Sequence, residues 1–442
     1  MTVRVLIGPV EIAGVAQGLS HGLRALGIGA DLVLGSEHPF AYGGNEVDAL
    51  VVRVWRFSGT WCRRLPMRRW WLKLPLALLH LALGWLVLAW ALARYSDFIF
   101  IAGKSLTGTV VDLMLMRALG KRVVVIYVGS DSRPPYINGA WPAGSVAGLA
   151  RQTRRLKRRV ARTERWASAC VNAPGTAHFH EKPLVNWFAL GCPRHLARAP
   201  LPSASQPPRD ASAARRVTLL HSPSHPVVKG TDLIRAAVER LQRRGHPVNL
   251  VLMQGMRNDE VLAAIGRCDL VLDQMYSDTP MAGLAFEAAL LGKPALVAGY
   301  FAPLAAQVLA DQPIPPTRFV HPADFERALE ELICDAAARQ ALGAAARRFV
   351  DTHWQCEDVA QRMVCILRGD IPESWLFDPR TVRYLEGCGL HVDAARQRVR
   401  SLIEYAGPAG LCVTDKPGLQ QAFVDWAGTH APSQVDPKRV AT

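Results

Sequence analysis

Two segments of this sequence combine residue types that could bind a phosphorylated ligand. The first is HSPSHPVVKGTDLI (residues 221–234), where Lys229 and Gly230 stand between a strand-like run and a helical run. The beginning of a helix offers unpaired amide groups and the positive end of the helix dipole, and a neighbouring ammonium group adds a full charge. This pattern predicts a diphosphate site. The alternative interpretation is a surface lysine before an ordinary helix.

The second segment is AGLAFEAALLGKPALV (residues 282–297), where Glu287 stands in an otherwise apolar helical run that ends at Gly292. A carboxylate among alanine, leucine and phenylalanine costs free energy unless a partner compensates for it. A ribose hydroxyl would be such a partner. The alternatives are a glutamate on the helix surface, or one that pairs with a nearby arginine.

Strand-like and helix-like runs alternate along most of the chain, and they predict the elements that must position these two segments. The strand-like runs are VRVLIG, DLVLG, DFIFIA, RVVVIYVG and SACVN in the first half, and RVTLLH, VNLVLMQ, DLVLDQ and PALVA in the second. Unbroken apolar strands separated by helices are typical of parallel sheets covered on both faces. We therefore expect an α/β protein of two Rossmann-like, doubly wound domains, with ligands bound in the cleft between them.

Changes in composition along the chain predict where these domains begin and end. Residues 196–214 are rich in proline, serine and alanine and lack a periodic apolar pattern, so they are predicted to form a linker. The first domain would then span residues 1–195 and the second domain residues 215–369. Residues 370–442 are predicted to form a helical C-terminal extension with a frayed end.

Composition and charge exclude some classes of protein and favour others. The 442 residues are 50% hydrophobic, which excludes a disordered protein. The balance of 52 Lys plus Arg against 37 Asp plus Glu gives a net charge of +15, which attracts nucleic acid, anionic lipid or phosphorylated ligands. Nine scattered cysteines without a Cys-x-x-Cys pair argue against a disulfide framework and a zinc site, and the first residues resemble a strand more than a signal peptide. We therefore expect a cytoplasmic protein.

An apolar run with basic neighbours predicts contact with a membrane. LPLALLHLALGWLVLAWALA (residues 74–93) has no charged residue and is long enough to cross a bilayer. Crossing is rejected, because the strand-like runs on either side are expected in one sheet. The remaining alternatives are a helix buried in the first domain, or a helix in the surface of an anionic membrane. The surface helix is favoured by nearby tryptophans and by a basic flank, namely Trp70, Trp71, Trp85, Trp90, Arg63, Arg64, Arg68, Arg69 and Lys73.

A second basic segment lies at residues 151–165, with eight basic residues and a single acidic one. Leu156, Val160 and Ala167 follow helical spacing, so the segment predicts a helix with one apolar stripe and a basic face. The segment lacks interleaved aromatic residues, and the chain contains no recognised nucleic-acid module. Nucleic acid is therefore not an expected partner.

The two ligand-binding segments, taken in order, resemble the second domain of GT-B glycosyltransferases, particularly the retaining family 4. VKGTDLI, CDLVLDQ and FEAALLGKPALV follow one another as in that family, and YSDFIFIAGKSL and KRVVVIYVGSDSRP resemble its first domain. The resemblance covers about residues 3–368. It implies a metal-independent transferase without a cofactor, which takes a nucleotide-sugar donor and passes the sugar to an acceptor sugar or a lipid-linked sugar.

The resemblance also implies site residues. Lys229 would contact the donor phosphates and Glu287 the donor ribose, while the loops at 8–14 and 129–131 would approach from the first domain. The donor-binding candidates are Lys229, Gly230, Glu287, Ser224, His225, Gly255 and Gly283, with His221 beside them, and those of the first domain are Gly8, Gly14, Gly129 and Ser130.

This sequence departs from the pattern of family 4 in three places. Ser224 occupies the usual place of an arginine, Thr279 that of a first glutamate, and no histidine follows the strand RVVVIYVG. We expect Asp278, next to Thr279, or Asp131 to supply the missing carboxylate. The alternatives are a catalytically silent scaffold that binds nucleotide sugars or partners at a membrane, and a sugar-nucleotide epimerase on the same fold.

Overall fold

The computed structural model describes residues 3–37, 47–142, 144–193 and 216–428, which form two α/β domains. The predicted linker at 196–214 and the predicted frayed end lie outside the described residues. The first domain contains β1 (Arg4–Gly8), α1 (Val15–Ala25), β2 (Gly29–Leu32), α2 (Leu50–Arg64), α3 (Trp70–Arg94), β3 (Asp97–Ile101), α4 (Val111–Ala118), β4 (Arg122–Ile126), α5 (Val146–Trp166), β5 (Ala169–Asn172), β6 (Leu184–Asn186) and α6 (Trp187–Leu190).

The second domain and the C-terminal extension follow in the described chain. The second domain contains β7 (Val217–His221), α7 (Pro226–Lys229), α8 (Thr231–Arg243), β8 (Val248–Leu252), α9 (Asn258–Arg267), β9 (Leu270–Leu272), α10 (Gly283–Leu290), β10 (Ala295–Ala298), α11 (Ala302–Val308), β11 (Arg318–Val320), α12 (Phe325–Cys334), α13 (Ala336–His353) and α14 (Cys356–Arg368). The extension adds β12 (Leu376–Phe377), α15 (Val392–Ala406) and α16 (Pro417–Gly428). Short 3-10 helices lie at Met67–Arg69, Pro135–Ile137, Pro174–Phe179, Pro322–Asp324, Glu373–Trp375, Pro379–Thr381 and Pro408–Leu411.

Each domain is built on its own sheet, and both sheets are parallel apart from one short edge strand. The order in the first sheet is β12, β6, β5, β4, β3, β1, β2, and β12 runs antiparallel to β6. The order in the second sheet is β11, β10, β9, β7, β8. Apolar strands buried on both faces are the pattern expected of such sheets. The predicted pair of Rossmann-like domains is therefore confirmed.

The end of the chain returns to the first domain. Helix α14 packs on α1 so closely that a Cβ atom on Gly22 would lie 2.0 Å from the carbonyl oxygen of Cys356. Beyond it, β12 extends the first sheet, and Val399 of α15 and Phe423 of α16 are buried in the same apolar cluster as Leu156 of α5. Residues after 369 therefore complete the core of the first domain.

Helices α2 and α3 form a hairpin whose apolar surface is mostly exposed. Helix α3 is long and apolar enough to cross a membrane, but only 22% of its most apolar window is buried. The buried residues, Gly84, Val87, Leu88 and Ala91, all lie in its C-terminal half. Of the two alternatives for this segment, the helix buried in the first domain does not agree with the structure. Crossing is incompatible with the sheet, because β1 before the hairpin pairs directly with β3 after it.

The basic segment forms α5, as predicted. Leu156 and Val160 are buried against the sheet, and Lys157 forms ion pairs with Glu181 at 2.9 Å and with Asp415 at 3.0 Å. The exposed face carries Arg151, Arg154, Arg155, Arg158, Arg159, Arg162 and Arg165. The helix thus presents a row of cations to solvent on one side of the first domain.

Candidate functional site

Lys229 lies beyond the carboxyl end of β7, at the junction of two helices. The sequence predicts Lys229 in a loop, whereas the structure places it as the last residue of the single turn α7. Gly230 follows with φ of +70° and separates α7 from α8. A Cβ atom on Gly230 would lie 2.7 Å from the Cβ atom of Met275, so this junction requires glycine.

The ammonium group of Lys229 has two polar partners that sequence reasoning missed. Its Nζ donates to Oε1 of Gln274 at 2.5 Å and lies 3.6 Å from Oδ1 of Asp273. The side chain of Asp273 is 1% exposed, and neither of its oxygens has a hydrogen-bond partner among the described residues. Lys229 is 21% exposed, so its ammonium faces both Asp273 and solvent. The signal was present in CDLVLDQ, where an aspartate ends an apolar strand.

His221 serves the structure of this corner. It is fully buried, its Nδ1 donates to the carbonyl oxygen of Leu272 at 2.8 Å, and its Nε2 accepts from the hydroxyl of Thr231 at 2.9 Å. Burial lowers the pKa of His221, so the ring is neutral at pH 7. It therefore joins β7, β9 and the beginning of α8.

Glu287 is buried in α10, and this helix points its first residues at the other domain. Nδ2 of Asn258 donates to Oε1 of Glu287 at 2.5 Å, so an amide compensates part of the buried carboxylate. A Cβ atom on Gly283, the first residue of α10, would lie 3.7 Å from the Cβ atom of Ala13. The amino end of α10 therefore meets the loop that follows β1.

The loop at 8–14 of the first domain uses its polar groups internally. A Cβ atom on Gly8 would lie 2.1 Å from the carbonyl oxygen of Val33, and Gly14 has φ of +79° where α1 begins. Glu11, which sequence reasoning did not single out, is buried and accepts from the amide of Gln17 at 3.0 Å. Its carboxylate occupies part of the amino end of α1, the position that a phosphate would otherwise take.

Asp278 joins the two domains through a buried ion pair. Oδ2 of Asp278 accepts from Nε of Arg133 at 2.8 Å and from a second nitrogen of the same guanidinium. The two side chains are 8% and 5% exposed. Gly129 has φ of +122°, and a Cβ atom there would lie 3.1 Å from Arg133, so glycine leaves room for the guanidinium. Arg133 was not predicted.

Asp131 lies after β4. Among the described residues, it forms no ion pair with Arg133, the partner of Asp278. Its Oδ1 accepts from the amide of Val128 at 3.1 Å, and Nη2 of Arg159 donates to its carbonyl oxygen at 3.0 Å. Burial raises the pKa of the Asp131 carboxyl, against the amide and the arginines nearby, which lower it. Its role in catalysis stays a prediction.

Four of the predicted site residues lie on the surface, namely Ser224, His225, Gly255 and Ser130. Nδ1 of His225 accepts from the amide of Val228 at 3.5 Å, and so caps α7. Gly255 has φ of +67° in the loop after β8, where nothing stands within 4 Å of an added Cβ atom. Of these four residues, Ser224 and His225 lie in the segment between β7 and Lys229, whereas Gly255 follows β8 and Ser130 follows β4.

The C-terminal extension contacts both domains through backbone hydrogen bonds. The amide of Gly389 donates to the carbonyl oxygen of Tyr276 at 3.1 Å, and the amide of Gly139 donates to the carbonyl oxygen of Cys388 at 2.8 Å. A Cβ atom on Gly389 would lie 2.6 Å from Cγ1 of Val228, which is in α7. The extension therefore supports the helical turn that carries Lys229.

No protein-family model matches the chain, and a search of curated proteins finds no match. Solved structures do match it. The catalytic domain of starch synthase IV from Arabidopsis thaliana, bound to ADP and acarbose, is 11% identical over 84% of this chain and 99% of its own, with a TM-score of 0.50. HepE from Anabaena in complex with UDP-glucose is 13% identical over 84% of this chain and 100% of its own, with a TM-score of 0.46.

A third match is the glycosyltransferase SnogD from Streptomyces nogalater, which is 13% identical over 83% of this chain and 100% of its own, with a TM-score of 0.40. Identities of this size show a shared architecture and nothing finer. Two parallel sheets, each covered by helices, face one another in this chain as well. The chain therefore has the GT-B fold.

Proposed function

We propose that this protein is a glycosyltransferase that moves a sugar from a nucleotide-sugar donor to an acceptor. The observation that carries the proposal is the position of Lys229, whose partly exposed ammonium stands beyond the carboxyl end of β7. Ligands of open parallel sheets bind at this edge. A diphosphate leaving group suits this position, because an ammonium stabilises the negative charge that develops on it.

Glu287 and α10 supply the remaining donor contacts in this proposal. The buried carboxylate accepts from Asn258, and in this proposal the ribose hydroxyls also donate to it. The first residues of α10, near Gly283, lie against the first domain, so the positive end of the helix dipole faces the cleft. We propose a retaining transfer without a metal ion or cofactor, since Lys229 and this end of the helix dipole supply the positive charge.

The two predicted catalytic carboxylates differ in what they can do. Arg133 balances the charge of Asp278, so we assign Asp278 to holding the domains in register. Asp131 has a raised pKa, which brings its carboxyl closer to the neutral pH at which proton transfer is efficient. Of the two, Asp131 is the better candidate for a proton-transfer role.

A thermal-shift screen tests the donor site. UDP, GDP, ADP, dTDP and their sugars are added one at a time, and ADP belongs in the screen because starch synthase IV was solved with it. We expect one nucleotide to raise Tm, because a ligand at one hundred times its Kd adds about 2.7 kcal/mol of stability. Lys229→Ala should abolish the shift.

Lys293→Ala is the matched control for this screen. Lys293 lies in the same domain but before β10, at the opposite edge of the sheet, where its Nζ donates to the carbonyl oxygen of Cys268. The nucleotide-induced shift should survive this change, even where Tm without ligand is lower. Equal melting with and without every nucleotide in the unmodified protein would contradict the proposed donor site.

One observation favours a second candidate, a catalytically silent scaffold. Lys229 and Asp278 each lie beside a buried partner of opposite charge. Such paired charges are sufficient to bind a ligand and do not require catalysis. Nucleotide binding without transfer to any of a broad panel of acceptors would favour the scaffold. Incubation with donor alone tests the epimerase alternative, because an epimerase forms its product without an acceptor.

We also propose that the protein rests on the cytoplasmic face of a membrane through the α2–α3 hairpin. The exposed apolar side chains of the hairpin and the basic residues beside them support this placement. Leu78→Ser should weaken binding to anionic vesicles, measured by sedimentation. Leu119→Ser is the control, because Leu119 at the end of α4 is 58% exposed, against 59% for Leu78. Equal losses for both variants would contradict the placement.

A further inference from the structure

The α2–α3 hairpin extends past the carboxyl edge of the first sheet. A Cβ atom on Gly84 of α3 would lie 3.0 Å from the carbonyl oxygen of Leu106, which follows β3, and one on Gly59 of α2 would lie 2.0 Å from that of Gly35, which follows β2. The middle of the hairpin is therefore level with this edge. At about 1.5 Å per residue, the turns of α3 before Gly84 reach roughly 20 Å further. We call residues 60–79 the hairpin tip.

The hairpin tip is apolar and has little cover from the rest of the described chain. Its largest exposed side chains are Trp61, Trp70, Trp71, Leu74 and Leu78. Tryptophan and leucine on one exposed surface, beside arginines, suit the boundary between lipid headgroups and acyl chains. In the membrane contact proposed above, the lipid surface would therefore lie at the carboxyl edge of the first sheet.

Three cations from three different elements meet at this edge. Arg63 comes from the hairpin tip, Lys104 from the turn after β3, and Arg159 from α5. Nη1 of Arg63 donates to the carbonyl oxygen of Glu37 at 3.0 Å, and Arg159 donates to that of Asp131. Among the described residues, no carboxylate forms an ion pair with any of these three cations. The Asp131 carboxylate offsets part of the charge of Lys104 and Arg159 without an ion pair, and the rest of the positive charge can act on a ligand.

Lys104 is the point at which these charges converge. Partial burial lowers its pKa, and repulsion from Arg63 and Arg159 lowers it further, against attraction from Asp131. The geometry agrees with this, because β3, which precedes Lys104, lies between β4 and β1 in the first sheet, whereas Arg63 contacts the segment after β2 and Arg159 the segment after β4. A group with two negative charges placed here would relieve that repulsion.

We propose that Arg63, Lys104 and Arg159 bind the phosphate of a lipid-linked acceptor, whose hydrocarbon chain stays in the membrane beside the hairpin tip. The inference rests on the proposed glycosyl transfer and names the class of acceptor that the first domain receives. The cations stand between the apolar tip and the cleft, so the phosphate would be held where an acceptor passes from lipid to donor. Guanidinium and ammonium groups are the usual partners of phosphate in proteins.

Vesicle flotation with the full chain tests this site. The vesicles contain phosphatidylcholine with either a polyprenyl phosphate or, at the same surface charge, phosphatidylglycerol. We expect Lys104→Ala and Arg159→Ala to weaken binding to the polyprenyl phosphate vesicles about tenfold each, which is about 1.4 kcal/mol, because each variant loses a charged hydrogen-bond donor to the phosphate. Binding to phosphatidylglycerol vesicles should change by less than about twofold, which is under 0.5 kcal/mol.

Arg154→Ala is the matched control, because Arg154 is an exposed arginine at the opposite border of the basic face of α5, about 140° around the helix from Arg159. It should not discriminate between the two kinds of vesicle. Equal losses on both kinds for Lys104→Ala, or the same selective loss for Arg154→Ala, would overturn the site in favour of general surface charge. Displacement of the protein from polyprenyl phosphate vesicles by equimolar glycerol phosphate would overturn the lipid part of the inference.

The donor screen on the unmodified protein reports separately on glycosyl transfer. Suppose that Lys104→Ala selectively weakens binding to polyprenyl phosphate vesicles but no nucleotide raises Tm. The three cations would then still bind a lipid phosphate, but the assignment of that lipid as an acceptor would be overturned. A nucleotide-induced shift without selective lipid binding would leave the transferase and overturn this site alone. Circular dichroism of each variant confirms that it is folded.

Discussion

Two buried acid–base pairs lie near the cleft, and they differ in how completely they are satisfied. Arg133 and Asp278 are nearly inaccessible to solvent, and the guanidinium donates to the carboxylate through two nitrogens. Asp273 is just as buried, but its oxygens lack hydrogen bonds among the described residues, and the ammonium of Lys229 lies 3.6 Å away and partly in solvent. The first pair spans the two domains, and the second lies within one.

This difference separates a structural contact from a ligand-binding one. A satisfied buried pair resists any rearrangement, because removing one partner leaves the other charged and desolvated. An ammonium has three N–H donors, so the partly exposed Lys229 can donate to an anionic ligand and still keep its bond to Gln274. We therefore interpret the Arg133–Asp278 ion pair as a contact that stabilises the arrangement of the two domains. We interpret Lys229 and Asp273 as part of a ligand-binding site.

The same chemical change in both pairs is the strongest test of this comparison. Asp278→Asn should cost about 3–5 kcal/mol of unfolding free energy, because the Arg133 guanidinium stays buried without a counter-charge. Asp273→Asn should cost less than about 1 kcal/mol, since Lys229 keeps its bond to Gln274 and can reach water. Denaturant unfolding measures both. Equal losses of unfolding free energy would show that both pairs stabilise the fold to the same extent, which would contradict this comparison.

Charging a histidine beside the Arg133 pair should loosen the contact between the extension and the first domain. Burial lowers the pKa of His178 to about 4, and its Nε2 donates to the carbonyl oxygen of Tyr384 at 2.6 Å. The unfolded value is about 6.5, so the stabilisation is complete above pH 6.5 and falls as the pH approaches 4. The loss should be about 3 kcal/mol.

Unfolding measured at pH 7 and again near pH 4 checks this pH dependence, with His178→Gln as the comparison protein. Glutamine keeps an N–H donor but does not titrate, so the variant should lose less stability on acidification. The same loss in both proteins would assign the pH dependence to other groups.

The smallest expected loss of stability concerns the packing of the C-terminal extension against the first domain. A Cβ atom on Gly387 would lie 1.9 Å from the carbonyl oxygen of Ile137, whereas Gly369, which has a left-handed backbone with φ of +87°, has nothing within 4 Å. Gly387→Ala should therefore cost about 2 kcal/mol more than Gly369→Ala, which loses only the ease with which glycine adopts the left-handed backbone. Thermal unfolding compares the two. Equal losses of stability in the two variants would show that the backbone of the extension can move away from Ile137 at little cost.

The sequence predicts the two sheets well because their signal is local. VVVI in β4 and LVL in β9 are unbroken apolar runs flanked by helical segments, and this pattern is almost confined to parallel sheets. Lys229 and Glu287 are also recognisable locally, because a lysine–glycine pair before a helix and a carboxylate in an apolar helix are both unusual. Asp273 could have been found in the same way.

Other parts of the site have no local signal. Arg133 and Asp278 are separated by 145 positions, and nothing near either residue identifies the other. The contact of Gly389 with α7 likewise depends on a chain that crosses from the second domain back to the first. The exposure of α3 could not be read from its composition, because a buried helix and a membrane-surface helix are both apolar.

The return of the chain to the first sheet has a consequence for biosynthesis. β12 pairs with β6, and α15 and α16 complete the apolar cluster around α5, so the amino-terminal domain contains residues translated after the whole of the second domain. While the ribosome makes the second domain, β6 has an open edge and part of the earlier core is uncovered. We therefore expect the amino-terminal domain to complete its fold only after the whole of the second domain has been synthesised.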